Sequence, residues 1–156
     1  GVDPSALTAA HVFIVIKIAA DPPATGPESG IWGLGSSGSS AHYPFTDGKI
    51  YDDFGSTTRK NSITPGVALN TWRVYEVIST SSEWTARIDG TQIHTTATNT
   101  VGWPSANQAA LGINRDETAC LEGWIAGMYM FSAKKTGADR SSLISYINNR
   151  FGLSVS

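Results

Sequence analysis

The chain is short of charge, of cysteine and of long apolar runs. Only 15% of its 156 residues are charged, against roughly 25% in an ordinary soluble chain. Lys and Arg number 11 and Asp and Glu 13, for a net charge of −2 and a pI near 5.9. That balance gives no basic footprint, so nucleic acid is not an expected partner. One cysteine, Cys120, excludes an intrachain disulfide and a multi-cysteine metal site. The longest apolar run, Val12 to Ile16, is far too short for a membrane-spanning helix, and no membrane insertion is expected. No Lys- or Arg-headed signal segment is present. The chain opens on Gly1 rather than Met, as expected of a module cut or processed from a longer protein.

In place of charge stand 18 Ser, 16 Thr and 16 Gly. Hydrophobic residues make up 40%, with five each of Trp, Tyr and Phe, which excludes intrinsic disorder. At 16.5 kDa the expectation is a single domain over residues 1–156, standing on its hydrophobic core alone.

The Ser, Thr, Val, Ile and aromatic content favours strands. His11 to Ile18 (HVFIVIKI) is a strand ended by Asp21-Pro22-Pro23, because proline has no ladder donor. Gly30 to Leu34, Lys49 to Phe54, Trp72 to Ser79, Trp84 to Ile88, Thr91 to His94, Ala109 to Ile113 and Gly123 to Ser132 follow as further strands. Asp89-Gly90 between two alternating segments is a hairpin signal, since both turn positions need positive φ. A two-residue turn pairs Ile88 with Thr91, Arg87 with Gln92, Ala86 with Ile93 and Thr85 with His94. Trp84, Ala86, Ile88 and Ile93 then share one face, taken as core, and Thr85, Arg87, Gln92 and His94 the other. Trp32, Trp72, Trp84 and Trp124 are expected in the core. Over residues 138–150 the period changes: Leu143, Ile144, Ile147 and Phe151 form one stripe of a helix. Thr136 or Asp139 can cap its start, and Gly152 its end. Many short strands with one terminal helix predict an all-β, two-sheet antiparallel jelly-roll sandwich.

Several chemistries find no support. Gly33-Leu-Gly-Ser-Ser-Gly38 spells GxGxxG, but no helix follows to hold a pyrophosphate. No GxSxG is present, and His11, His42 and His94 lie in unrelated contexts, which argues against a serine hydrolase. Glu76 shares a face with Trp72, Val74 and Ile78, so it must emerge at a sheet margin or meet an arginine. Asp52-Asp53 and Asp116-Glu117 are adjacent acids whose members face opposite ways on a strand. Glycoside hydrolysis needs two carboxylates about 5–10 Å apart across a cleft.

From about Trp32 to Leu153 the chain resembles a laminin-G-like, concanavalin A-like jelly roll of the kind found in bacteriophage tail and capsid proteins and bacterial surface proteins. The resemblance rests on Ile50-Tyr-Asp-Asp-Phe-Gly-Ser-Thr-Thr-Arg59, Trp72-Arg-Val-Tyr-Glu-Val77, Trp84-Thr-Ala-Arg-Ile-Asp-Gly90 and Asn99-Thr-Val-Gly-Trp103. It continues through Leu111-Gly-Ile113, Leu121-Glu-Gly-Trp-Ile-Ala-Gly127, Phe131-Ser132, Asp139-Arg140 and Tyr146-Ile-Asn-Asn-Arg-Phe-Gly-Leu153. The fold it implies hosts lectins, adhesion modules and glucanases alike. The family's glucanases carry Glu-x-Asp-x-Glu on a strand, and no such stretch occurs here. The resemblance also implies calcium as a possible cofactor, with Asp47, Asp52, Asp53, Asp116 and Glu117 as the available loop acids.

The function expected from this is non-catalytic recognition or adhesion, with carbohydrate as the partner, on a virion or extracellular cell surface. The alternative is a structural capsid or tail decoration binding only neighbouring protein, and a glycoside hydrolase or lyase ranks below both. The ligand face expected from strand alternation holds Arg73, Tyr75, Arg87, Gln92 and His94, with Thr85 beside them. These supply donors and aromatic surface suited to a sugar acid or an array of hydroxyls. Trp103, in the loop sequence Gly102-Trp103-Pro104, is either a stacking lid on that face or a plug over the open end of the sandwich. Asn99, Asn107 and Gln108 accompany it.

Overall fold

The computed structural model describes residues 6–24, 29–34, 40–103, 109–114 and 120–156. The first five strands are β1 (Ala10–Ile18), β2 (Gly30–Leu34), β3 (Ser40–His42), β4 (Ile50–Asp52) and β5 (Lys60–Ile63). Next come β6 (Arg73–Thr80), β7 (Glu83–Ile88), β8 (Thr91–Thr96), β9 (Ala109–Leu111) and β10 (Gly123–Phe131), then α1 (Gly137–Phe151). The strands form two five-stranded antiparallel sheets, ordered β10-β1-β6-β7-β8 and β5-β4-β3-β2-β9. This is the two-sheet jelly-roll sandwich with a C-terminal helix that the sequence pattern predicts.

Between the sheets lie Val12, Ile14 and Ile16 of β1, Trp32 of β2, Tyr75 and Val77 of β6, and Trp84 and Ala86 of β7. Trp32 stacks on Tyr75 with centroids 5.9 Å apart and tilts onto Phe54 at 5.3 Å. The indole Nε1 of Trp84 donates to the Phe54 carbonyl at 3.0 Å, so this large ring is buried without an orphaned donor.

The first sheet is covered on its other face too. Phe13, Val15 and Val74 point outward and meet Ile144 and Ile147 of α1 together with Val155. Leu143 and Phe151 complete the stripe as half-buried neighbours. That second layer explains why β1 is a continuous apolar run rather than an alternating one: both of its faces are buried. The helix begins after Thr136 and ends at Gly152, which has φ 66° and donates its N–H to the Asn148 carbonyl. A left-handed glycine there is what a helix C-terminus favours.

The Asp89-Gly90 turn forms as expected, with φ 50° and 83°, and Ile88–Thr91 and Arg87–Gln92 pair across it. The expected register then fails. A bulge between Ala86 and Arg87 places Ala86 opposite His94 and Thr85 opposite Thr95. The shift turns His94 to the core side, where its ring meets Trp84 edge-on at 5.8 Å. Ile93 remains packed against the same core.

Two tryptophans expected in the core are outside it: Trp72 is 40% and Trp124 54% exposed. Inward positions on β6 are those of Tyr75 and Val77, so Trp72 has the outward parity. Trp124 lies opposite Lys17, whose Nζ sits 5.1 Å above the indole.

Candidate functional site

Val74, Glu76 and Ile78 alternate outward on β6, and the docking of α1 carries Glu76 out of solvent, to 1% exposure. A lone carboxylate there is costly unless paired, and Glu76 has three partners. Arg140, in the first turn of α1, donates from Nε to Oε1 at 2.9 Å and from Nη2 to Oε2 at 2.8 Å, a bidentate fork. His11 Nε2 reaches Oε1 at 2.9 Å, and Arg87 Nη1 reaches it at 3.3 Å. The other ring nitrogen of His11, Nδ1, accepts the Lys135 backbone N–H at 3.0 Å. The ring proton therefore sits on Nε2 and is donated to Glu76.

Burial alone would raise the Glu76 pKa. The hydrogen bonds from Arg140 and His11 and their charge overcome this and hold it at about 2. Burial pulls His11 below its ordinary 6.5 despite its bond to Glu76. At neutral pH the cluster is thus a carboxylate, a neutral imidazole and two guanidinium ions.

Beside this cluster opens a depression of about 260 Å³, lined by Ile78, Arg87, Gly90, Lys134, Lys135, Thr136 and Arg140. A second depression of about 280 Å³ adjoins it through the shared Lys135 and is lined by Phe131, Asp139, Ser142 and Leu143. The Lys135 ammonium lies 4.8 Å over the Phe131 ring. Lys134 pairs with Glu83 and Lys135 lies 3.9 Å from Asp139. Both arginines keep part of their side chain in solvent, 22% for Arg87 and 23% for Arg140.

The residues expected at a ligand site are scattered by the fold. Arg87 and Gln92 stay side by side on the outer face of the first sheet. Tyr75 does not join them: it is fully buried between the sheets and donates to Asp52 Oδ2 at 2.8 Å. An inward Trp72 would have put Tyr75 outside, and the reverse parity sends Tyr75 into the core. Arg73 is a turn clamp, with Nε on the Ala68 carbonyl at 2.9 Å and Nη1 on Asp89 Oδ2 at 2.8 Å. His94 is moved to the core side by the bulge. Thr85 is buried and bonds Thr95 across the hairpin at 2.8 Å. Trp103 packs edge-on to Phe54 at 5.1 Å and covers Gly55, where a Cβ would come within 2.5 Å of its ring. It is the plug of the two readings, on the inner side of the sheet that Arg87 faces outward. Asn99 is tied to Ser56 and Ser79 by its side chain; Asn107 and Gln108 lie outside the described residues.

The acids considered for calcium are not assembled. Asp52 is fully buried, accepting from the Phe54 N–H at 2.8 Å and from Tyr75, and burial lifts its pKa to about 8. Asp53 accepts the Ser40 N–H at 2.5 Å. Asp47 accepts from the Tyr51 hydroxyl at 2.6 Å and the Lys49 N–H at 2.9 Å. Asp116 and Glu117 lie outside the described residues. Among the described residues no three His, Cys, Asp or Glu side chains are placed to hold a metal ion.

Sequence reasoning missed His11, Lys134, Lys135 and Arg140. The signal was Glu76, an acid on an apolar face that had either to emerge at a sheet margin or to meet an arginine. Nothing local says that the cation comes from Arg140, 64 residues on, because that contact exists only once α1 docks.

No family model matches the sequence, and no curated protein matches it. Solved structures do resemble it. The botulinum neurotoxin serotype D binding domain superposes with a TM-score of 0.64 at 16% identity, covering 94% of this chain. The receptor binding domain of botulinum neurotoxin D gives 0.62 at 15% identity over 94%. Trypanosoma rangeli sialidase, in complex with the inhibitor DANA, gives 0.57 at 10% identity over 86%. The chain spans 39% of each neurotoxin domain and 22% of the sialidase. At such identities the likeness carries architecture and not activity: this chain has the two-sheet antiparallel jelly-roll fold.

Proposed function

We propose that this chain is a non-catalytic recognition module that binds carbohydrate, displayed on a virion or an extracellular cell surface, with the cleft between α1 and β6–β7 as its site. The observation that carries the proposal is the chemistry of that cleft: long donor side chains around an opening whose one buried carboxylate is already spent. Glu76, with a pKa of about 2, is no general acid near neutral pH. Asp52 is protonated at neutral pH but sealed between the sheets. Neither offers the pair of carboxylates facing one cleft that glycoside hydrolysis requires. Arginine and lysine donors suit a ligand rich in oxygen acceptors. The likeness to neurotoxin binding domains agrees with a binding role, although this chain matches only a part of each. A glycan array probed with the folded chain tests the proposal: specific hits support it, and complete silence overturns it.

A second reading, decoration through protein neighbours, has its own observation. The edge strand β10, GWIAGMYMF, carries no charge in its nine residues and leaves Trp124 and Met130 exposed. Edge strands of soluble proteins are normally guarded by charge. Array silence together with concentration-dependent self-association in solution favours this reading.

A further inference from the structure

We infer that the cleft selects a sugar carrying a single carboxylate, held chiefly by Arg87 beside Arg140. This rests on the proposed carbohydrate recognition and narrows it to one ligand class.

The side-chain charges that meet at Glu76 do not cancel. Glu76 contributes one negative charge, and Arg87 and Arg140 one positive charge each, while His11 is neutral in the hydrogen-bond pattern it makes. Among these described side chains one positive charge is left over. The lysines on the rim do not change this balance, since Lys134 pairs with Glu83 and Lys135 faces Asp139. A carboxylate brings the one negative charge that closes the balance. A phosphate monoester brings nearly two, more than these side chains balance.

Geometry narrows it further. Arg140 commits Nε and Nη2 to Glu76 and shares Nη2 with the Ser156 carbonyl at 3.1 Å. Arg87 touches Glu76 only through Nη1, at 3.3 Å. Its Nε and Nη2 have no partner among the described residues, and it lines the cleft. Those two N–H groups form one edge of a planar fork, the shape that binds a carboxylate with two parallel hydrogen bonds. Glu76 holds the guanidinium in place before any ligand arrives, so little side-chain entropy remains to be lost on binding. The cleft also has room beyond the carboxylate, because the adjoining depression shares Lys135 and is lined by Ser142 and Leu143. A sugar ring attached to the acid can extend there.

The test uses the whole chain and matched probes: oligosaccharides ending in glucuronate, galacturonate or neuraminate, and the same compounds with the carboxyl reduced to an alcohol. Calorimetric titration should show binding of at least one acid, weakened about tenfold or more by carboxyl reduction and weakened again by added salt. Arg87→Gln should lose a similar factor at an unchanged melting temperature. If Arg87→Gln fails to fold, Lys134→Gln serves in its place; this rim residue is 38% exposed, and its loss should weaken acid binding severalfold. Binding of neutral or carboxyl-reduced glycans as tightly as the acids overturns this inference and leaves carbohydrate recognition standing. Acid binding untouched by both variants also overturns it, by placing the site elsewhere. Binding of no glycan at all by the folded chain overturns both.

Discussion

Asp52 and Glu76 are two carboxylates of one fold held in opposite protonation states by their neighbours. Glu76 faces guanidinium groups and stays ionised; Asp52 faces a phenol and a backbone N–H inside an apolar core and is held protonated to about pH 8. The consequence for stability has a definite sign. Asp52 has its folded pKa raised above its ordinary 3.8, so the folded state binds its proton more tightly than the unfolded chain does. Its contribution is fully present below 3.8 and is lost as the pH rises through about 8. Glu76 and His11 act in the reverse sense, since both folded values lie below the ordinary ones of 4.5 and 6.5. Their contributions are full above those values and decline in acid. Between pH 6.5 and 8.5 the Asp52 effect therefore stands nearly alone. Melting curves should show the parent losing stability over this window, by on the order of 5 °C or more. Asp52→Asn, which cannot ionise, should run flat; parallel curves would mean that Asp52 is not the group responsible.

Among the elements, the β7–β8 hairpin shows how one turn sets a larger geometry. Asp89 is the hub: its N–H donates to the Val74 carbonyl, and its carboxylate accepts from the Val74 N–H and from Arg73. Gly90 follows at φ 83°, so close to the chain end that a Cβ on it would run into the Ser156 carbonyl oxygen. Gly90→Ala therefore meets two penalties, a left-handed backbone worth about 1–2 kcal/mol and the displacement of the segment that Arg140 also contacts. Urea denaturation should register a loss of at least that size, and an unchanged midpoint would show that the segment does not pack there. The turn itself was legible in the sequence because Asp-Gly has few other uses between alternating segments. The bulge three residues away was not. It relieves no local demand of residues 86–94; it fits His94 and Ile93 against Trp84 and the opposite sheet.

For the molecule as a whole, the decisive feature is the third layer. α1 is short and gains its stability by burying Ile144 and Ile147 against Phe13, Val15 and Val74, as expected of a helix of fifteen residues with little stability of its own. Removing residues 137–156 should bare that apolar sheet face and strip Arg140 from Glu76. The shortened chain is expected to bind a hydrophobic dye, to aggregate on concentration and to melt well below the parent. A monomeric, equally stable product would show that the helix is an accessory rather than a layer.

Sequence alone determined eight of the ten described strands, the hairpin turn, the helix and its closing Gly152, because each depends on residues close together in the chain: turn glycines, proline breaks, and periods of two or 3.6; the short β3 and β5 went unread. It also marked Glu76 as an acid on an apolar face that had to emerge at a sheet margin or meet an arginine. Only the tertiary structure decided which faces are inside. The pairing of β6 with β1 and β7 and the cover provided by α1 put Tyr75 in the core, left Trp72 and Trp124 in solvent, and brought His11, Glu76, Arg87 and Arg140 together from four separate elements. Alternation along a strand fixes which residues share a face, but not which face is buried; that is set by what packs against it.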